Sequence, residues 1–178
     1  DSCLYGALLL ALILGTRFLY PADAALARYD FLFLAALALQ VWLLAARLET
    51  LDEAKVILIF HVVGTAMEVF KTAAGSWIYP EESFFRIGGV PLFSGFMYAA
   101  VGSYLARISR IFDFRYSHYP PLWTTWAFAI AIYVNFFTHH YTVDIRLGLF
   151  ALLFLLYGRT FVHYSVYRYR HRMPLVLG

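Results

Sequence analysis

The sequence predicts an all-α protein, a polytopic transmembrane bundle of about six helices. Three observations carry this expectation. The 178 residues are 62% hydrophobic and only 14% charged, with mean hydropathy +0.69, outside the range of soluble domains. Six stretches have the length, about 17 to 25 residues, that a hydrocarbon core roughly 30 Å thick requires. None alternates as a barrel strand does, and backbone amides in lipid must be paired within their own segment.

In chain order the spans fall near 3–20, 29–46, 54–74, 84–106, 120–137 and 143–163. The first two are joined by the turn PADAALARYD (21–30). The second and third are joined by the charged connection RLETLDEAK (47–55), in which Thr50 and Glu53 fit a capping box opening the third helix. The third ends at GSWIYPEES (75–83), where Gly75 supplies a left-handed stop and Trp77 and Tyr79 suit a headgroup region. Pro80, Glu81 and Glu82 then read as the opening of the fourth helix, acids being favoured at its positive end. Gly88, Gly89 and Pro91 predict a kink or irregular turn near that end, and Gly95, Ala99 and Ser103 form a small-residue stripe for close helix packing, within the chain or against a partner helix. Short connections make 1–178 a single helical domain, and the opening on Asp1 and the apolar return RMPLVLG suggest truncation at one or both ends.

Basic residues gather in the loops after the second and fourth spans and in the tail: Arg47, Lys55, Arg107, Arg110, Arg115, Arg168, Arg170 and Arg172. The positive-inside rule places both ends in the cytoplasm. The tail YRYRHR is read as this topology signal and not as a nucleic-acid patch. A single cysteine, Cys3, excludes a disulfide framework and a cysteine-based zinc site. No phosphate-binding loop, dinucleotide glycine pattern or nucleophile elbow occurs, so no nucleotide cofactor is implied.

Chemistry is expected first on the third span. His61 and Glu68 are seven residues apart, which puts them on one helix face about 10 Å apart, and Lys71 follows Glu68 at pairing distance. A charge at mid-membrane costs about 2.5 to 3.5 kcal/mol, so these groups must pair or line a polar cavity. Both readings stay open: a buried Glu68–Lys71 pair with a core histidine, or a pocket open toward the outer face. A second cluster, VNFFTHHYTVDIR (134–146), offers Asn135, His139, His140, Asp144 and Arg146. The predicted topology collects it with Lys71, Glu81, Glu82 and Arg86 on the outer side. Proton transfer by Glu68, Glu81 or Glu82 is one chemistry such a site could run; metal binding by His139, His140 and Asp144 is another, although their spacing matches no known ligand pattern.

The stretches AMEVFKTAAGSWIYPEESFFRIGGVPLFSGFMYAAVGSYL (66–105) and NFFTHHYTVDIRL (135–147) resemble the YoaT-like family of bacterial integral membrane proteins. The resemblance implies a bacterial cytoplasmic membrane location, a chain longer at its C-terminus, and no established activity. PEESFF (80–85) is similar to a Pro-x-Glu-Glu segment of membrane-embedded lycopene cyclases, which would make Glu81 or Glu82 a proton donor toward an isoprenoid. The expected function is therefore the binding or conversion of a lipid-soluble molecule in a polar pocket, with Glu68, Glu81, Glu82 and Lys71 handling protons and charge. His61, Trp77, Tyr79, Arg86, Asn135 and Arg146 would line it. A proton- or ion-coupled transporter subunit and a non-catalytic assembly subunit are the alternatives, and whether the protein is an enzyme is left open.

Overall fold

The computed structural model describes residues 3–177; Asp1, Ser2 and Gly178, which the single-domain reading includes, lie outside it. Among the described residues six α-helices form, α1 (Leu4–Leu19), α2 (Arg28–Ala45), α3 (Leu51–Ala73), α4 (Phe93–Phe112), α5 (Leu122–Thr138) and α6 (Arg146–Tyr157), with a 3-10 turn at Leu175–Leu177. They are accompanied by the hairpin β1 (Arg86–Ile87) and β2 (Val90–Pro91), and by an antiparallel sheet of β3 (Arg115–Ser117), β4 (Phe161–Val166) and β5 (Tyr169–Pro174) in the order β3-β4-β5.

The expected all-α bundle of six spans is therefore corrected to a mixed architecture. Among the described residues, only α2 and α3, with 18 and 23 residues, are long and apolar enough to cross a membrane. α1, α5 and α6 are apolar but have 16, 17 and 12 residues. α4 has 20 residues but carries Arg107 and Arg110 among small and polar ones. Two of the expected spans are shortened by strands. The fourth begins only at Phe93, because Gly88 and Gly89 take φ of +56° and +82° and reverse the chain in a tight hairpin. The sixth stops at Tyr157, and the β-branched and aromatic run FVHYSV pairs along its length with β5. The basic stretch expected as a free tail is the turn and strand of that hairpin, with Arg172 stacked 3.7 Å over the Phe161 ring.

The chain divides into two compact units, residues 1–108 and 109–178. In the first, Tyr5 and Leu9 of α1, Ala36 and Leu43 of α2, Ile57 of α3, and Phe96 and Ala99 of α4 make one apolar core. α3 and α4 meet along a seam of glycines. A Cβ on Gly64 would stand 2.3 Å from the Tyr98 ring, one on Gly95 would meet Thr65 Oγ1 and His61 Nδ1 at 2.3 and 2.6 Å, and one on Gly102 would press on the Phe60 ring at 2.9 Å. Gly95, Ala99 and Ser103 are all buried inside the chain. In the second unit, Phe128 of α5 and Tyr157 of α6 pack at 6.2 Å, and Phe112 and Phe114 stack and meet Tyr164 of β4 edge-on.

The capping box forms as expected: Glu53 N–H donates to Thr50 Oγ1 and Thr50 N–H to Glu53 Oε2. At the other end of α3, Gly75 takes φ +73°, with Ser76 N–H bonding Lys71 O and Gly75 N–H bonding Thr72 O, the two bonds of a Schellman stop.

Overpacking the glycine seam is expected to destabilise the first unit. Gly64→Ala should cost about 1 to 3 kcal/mol and lower Tm in detergent, whereas Gly15→Ala, which meets nothing within 4 Å inside α1, should cost nothing and gain up to about 1 kcal/mol of helix propensity.

Candidate functional site

Two buried polar clusters occupy the first unit. The first surrounds Glu68, which is 4% exposed on α3. Its Oε2 accepts from Trp77 Nε1 and from the Tyr79 hydroxyl, both at 2.8 Å, and its Oε1 accepts from the Tyr98 hydroxyl at 2.6 Å. A carboxylate offers about four lone-pair sites, and three are filled here by neutral aromatic donors. Burial pushes the Tyr79 hydroxyl well above its ordinary range, and its bond to Glu68 raises it further. Lys71, 8% exposed, lies one turn beyond on the same buried face of α3. His61 packs its ring against Phe96 at 4.5 Å and abuts Gly95.

The segment from Gly75 to Leu92 is drawn over this cluster by successive anchors. Trp77 and Tyr79 are held by Glu68. Glu81 forms a two-point ion pair with Arg28 at 2.6 and 2.8 Å. Asp30, 2% exposed in the first turn of α2, accepts from Phe84 N–H at 2.7 Å and Phe85 N–H at 2.8 Å. Tyr29 packs on Tyr79 and Phe93 at 6.1 and 4.9 Å. Arg86 donates to Gly89 O at 2.7 Å within its own hairpin, so the arginine that meets Glu81 is Arg28 and not Arg86. Glu81 and Glu82 precede α4 by more than ten residues and do not cap it, because the hairpin intervenes.

The second cluster was not anticipated. Glu49, 4% exposed, accepts from Gln40 Nε2, from Ser103 Oγ at 2.7 Å and from Arg107 Nη2 at 3.1 Å, while Arg107 also donates to Leu48 O at 2.9 Å. Arg107, counted with the basic loops on sequence, is 2% exposed inside α4. The signal available was the spacing: Ser103 and Arg107 are one helical turn apart, continuing the Gly95–Ala99 stripe.

Two grooves open beside these clusters. Leu8, Leu12, Gly15 and Leu19 of α1 with Phe31 and Leu39 of α2 line an apolar cavity of about 500 Å3. Arg17, Arg28, Glu81 and Glu82 line a polar cavity of about 370 Å3, and Thr16 and Tyr20 belong to both.

The remaining expected residues lie in the second unit, where they close the α5–α6 turn. Asn135 Nδ2 donates to Asp144 Oδ1 at 3.2 Å, Ile145 N–H donates to Asn135 Oδ1 at 2.9 Å, and Arg146 pairs with Asp144 at 2.5 Å. The Arg146 backbone N–H, reinforced by Asn135 and by the Arg146 guanidinium, holds the Asp144 carboxyl below the usual carboxylate range. His139 Nδ1 lies 3.0 and 2.9 Å from the Asn135 and Phe136 carbonyls, and its ring centroid lies 4.0 Å from that of His140, the planes tilted by 35°. Among the described residues no three His, Cys, Asp or Glu side chains are placed to hold a metal ion, His139, His140 and Asp144 included. Asp144 is instead engaged by Asn135 and Arg146.

Comparison with known proteins decides the family. The family described as "Protein of unknown function (DUF817)" matches residues 1–178. The chain belongs to that family. It is 44% identical over 177 residues to "Uncharacterized protein YoaT" of Bacillus subtilis (strain 168), covering 99% of this chain and 66% of that relative, just under two thirds of its length. No solved structure matches. The similarity to membrane lycopene cyclases has no counterpart in these findings.

Two outcomes test the clusters. Asp30→Ala is expected to free the Phe84 and Phe85 amides and speed their hydrogen exchange about 10- to 100-fold, the scale of charged hydrogen bonds worth about 1.5 to 3 kcal/mol. Arg107→Ala, which leaves Glu49 buried without its cation, is expected to cost about 3 to 5 kcal/mol in thermal or denaturant unfolding.

Proposed function

We propose that this protein is held in a membrane by α2 and α3 and binds a lipid-soluble molecule in the groove between α1 and α2, its polar end in the pocket under Arg28 and Glu81. The observation that carries the reading is that Thr16 and Tyr20 line both cavities, one apolar and one charged. A combined volume of this order is typical of small-molecule sites, which pair an apolar body with a few polar groups.

The distribution of side chains supports the membrane part. Glu49, Glu53, Glu68, Lys71 and Arg107 are buried, while Leu58, Ile59 and Val62 of α3 are 58 to 61% exposed. In water this is the wrong way round; in hydrocarbon it is what solvation requires. Only 22% of the apolar window of α3 is buried within the chain, which a core helix of a water-soluble domain would not show.

Glu68 is enclosed and Glu81 is paired, so binding is favoured over proton-transfer chemistry as the role of this site. The protein is expected to stay in the membrane fraction through alkaline carbonate washing and to carry a lipid-soluble molecule through mild detergent purification, detected by solvent extraction and mass spectrometry. Gly15→Trp, which places an indole where a Cβ meets nothing, should abolish the bound molecule while leaving Tm within a few degrees. Release by carbonate, or equal retention in Gly15→Trp, would contradict the reading.

A further inference from the structure

The charged pocket at the head of the α1/α2 groove holds both signs, and they do not all cancel. Arg28 and Glu81 neutralise each other in their two-point pair. Arg17, in the last turn of α1, and Glu82 are exposed on the same pocket and make no hydrogen bond or ion pair among the described residues. One unpaired cation and one unpaired carboxylate therefore face a single cavity of about 370 Å3.

The apolar groove has a matching length. Its α1 wall runs from Leu8 to Leu19, eleven steps of about 1.5 Å, or roughly 16 Å. That is about half of a hydrocarbon core roughly 30 Å thick, the depth of one leaflet. The charged pocket caps the end of the groove at Leu19 and Tyr20, where α1 stops and α2 begins, the level of lipid headgroups if α2 spans.

We infer that the occupant is a zwitterionic glycerophospholipid from the surrounding bilayer, with one acyl chain along α1 and α2, its phosphate at Arg17 and its ammonium at Glu82. This rests on the membrane and groove reading above and names the ligand class for that site. Arginine binds phosphate oxygens through two parallel donors, and the adjacent carboxylate selects for a head that carries its own cation. An anionic lipid without an ammonium brings its charge against Glu82 with no partner for that carboxylate. A neutral polyene leaves both charges unused, and a bilayer-spanning one exceeds the groove.

The test is native mass spectrometry of the full chain, purified in mild detergent, stripped of lipid, and offered equal amounts of phosphatidylethanolamine and phosphatidylglycerol of the same acyl composition. Phosphatidylethanolamine is expected to be retained about tenfold over phosphatidylglycerol, the scale of one charge-assisted hydrogen bond. Glu82→Gln should bring that ratio close to one with Tm unchanged, Arg17→Gln should weaken retention of both lipids alike, and Gly15→Trp should remove both lipids. Equal retention of the two lipids by the unaltered chain, a preference that survives Glu82→Gln, or retention unaffected by Arg17→Gln overturns the zwitterion assignment while leaving a lipid-soluble ligand in the groove. Retention of neither lipid, with an unrelated apolar molecule recovered from the untreated protein, also overturns it. Recovery of no apolar molecule at all overturns the groove reading beneath it.

Discussion

A carboxylate withdrawn from water must be given its hydrogen bonds by the protein, and the buried Glu68 is the group on which the end of the first unit that carries the 75–92 segment depends. Its three donors come from two places, Trp77 and Tyr79 on the segment after α3 and Tyr98 on α4. Satisfying Glu68 therefore pulls that segment down onto the helices and fixes where the next residues fall. Arg28 then reaches Glu81, Asp30 reaches the Phe84 and Phe85 amides, and Gly88 can tuck against Val69. The charged pocket beside α1 is a consequence of this chain of anchors, since its Glu81 and Glu82 wall is carried by a segment with little regular structure of its own.

The same constraint operates at the opposite end of the α3/α4 seam, where Glu49 collects Gln40, Ser103 and Arg107. Between the two clusters the helices approach through Gly64, Gly95 and Gly102, positions where a single added carbon would collide. Charged groups thus sit at both ends of a tightly packed interface whose outer faces are leucine, isoleucine and valine. Hydrogen bonding in the interior and apolar contact outside are the two requirements a lipid environment imposes, and the arrangement meets both.

Helix positions from α1 to α3 were legible in the sequence because apolar length, a capping box and a stop glycine are local signals. The small-residue stripe on α4 and the polar face around Glu68 were legible for the same reason: both repeat at helical spacing. Hydropathy overstated the number of spans, because a window that scores apolar content does not see the reversal at Gly88–Gly89 or the pairing of FVHYSV with β5. Charge counting misplaced Arg107, whose partner Glu49 lies 58 residues away in sequence and becomes visible only when the α2–α3 connection is packed against α4. The partner of Glu81 was missed in the same way, since Arg28 is 53 residues distant. Long-range ion pairs leave no periodic trace, and here they shape the polar parts of the site.

The central claim, that the apolar faces are solvated by lipid and the charges by the protein, is tested most directly with spin labels on α3. With Cys3 replaced by Ser, labels at Leu58 and Val62 in the reconstituted protein should collide with oxygen and be shielded from a water-soluble nickel complex, while a label at Ile78 in the segment after α3 should show the reverse. Nickel access at Leu58 and Val62 equal to that at Ile78 would place those faces in water and contradict the account.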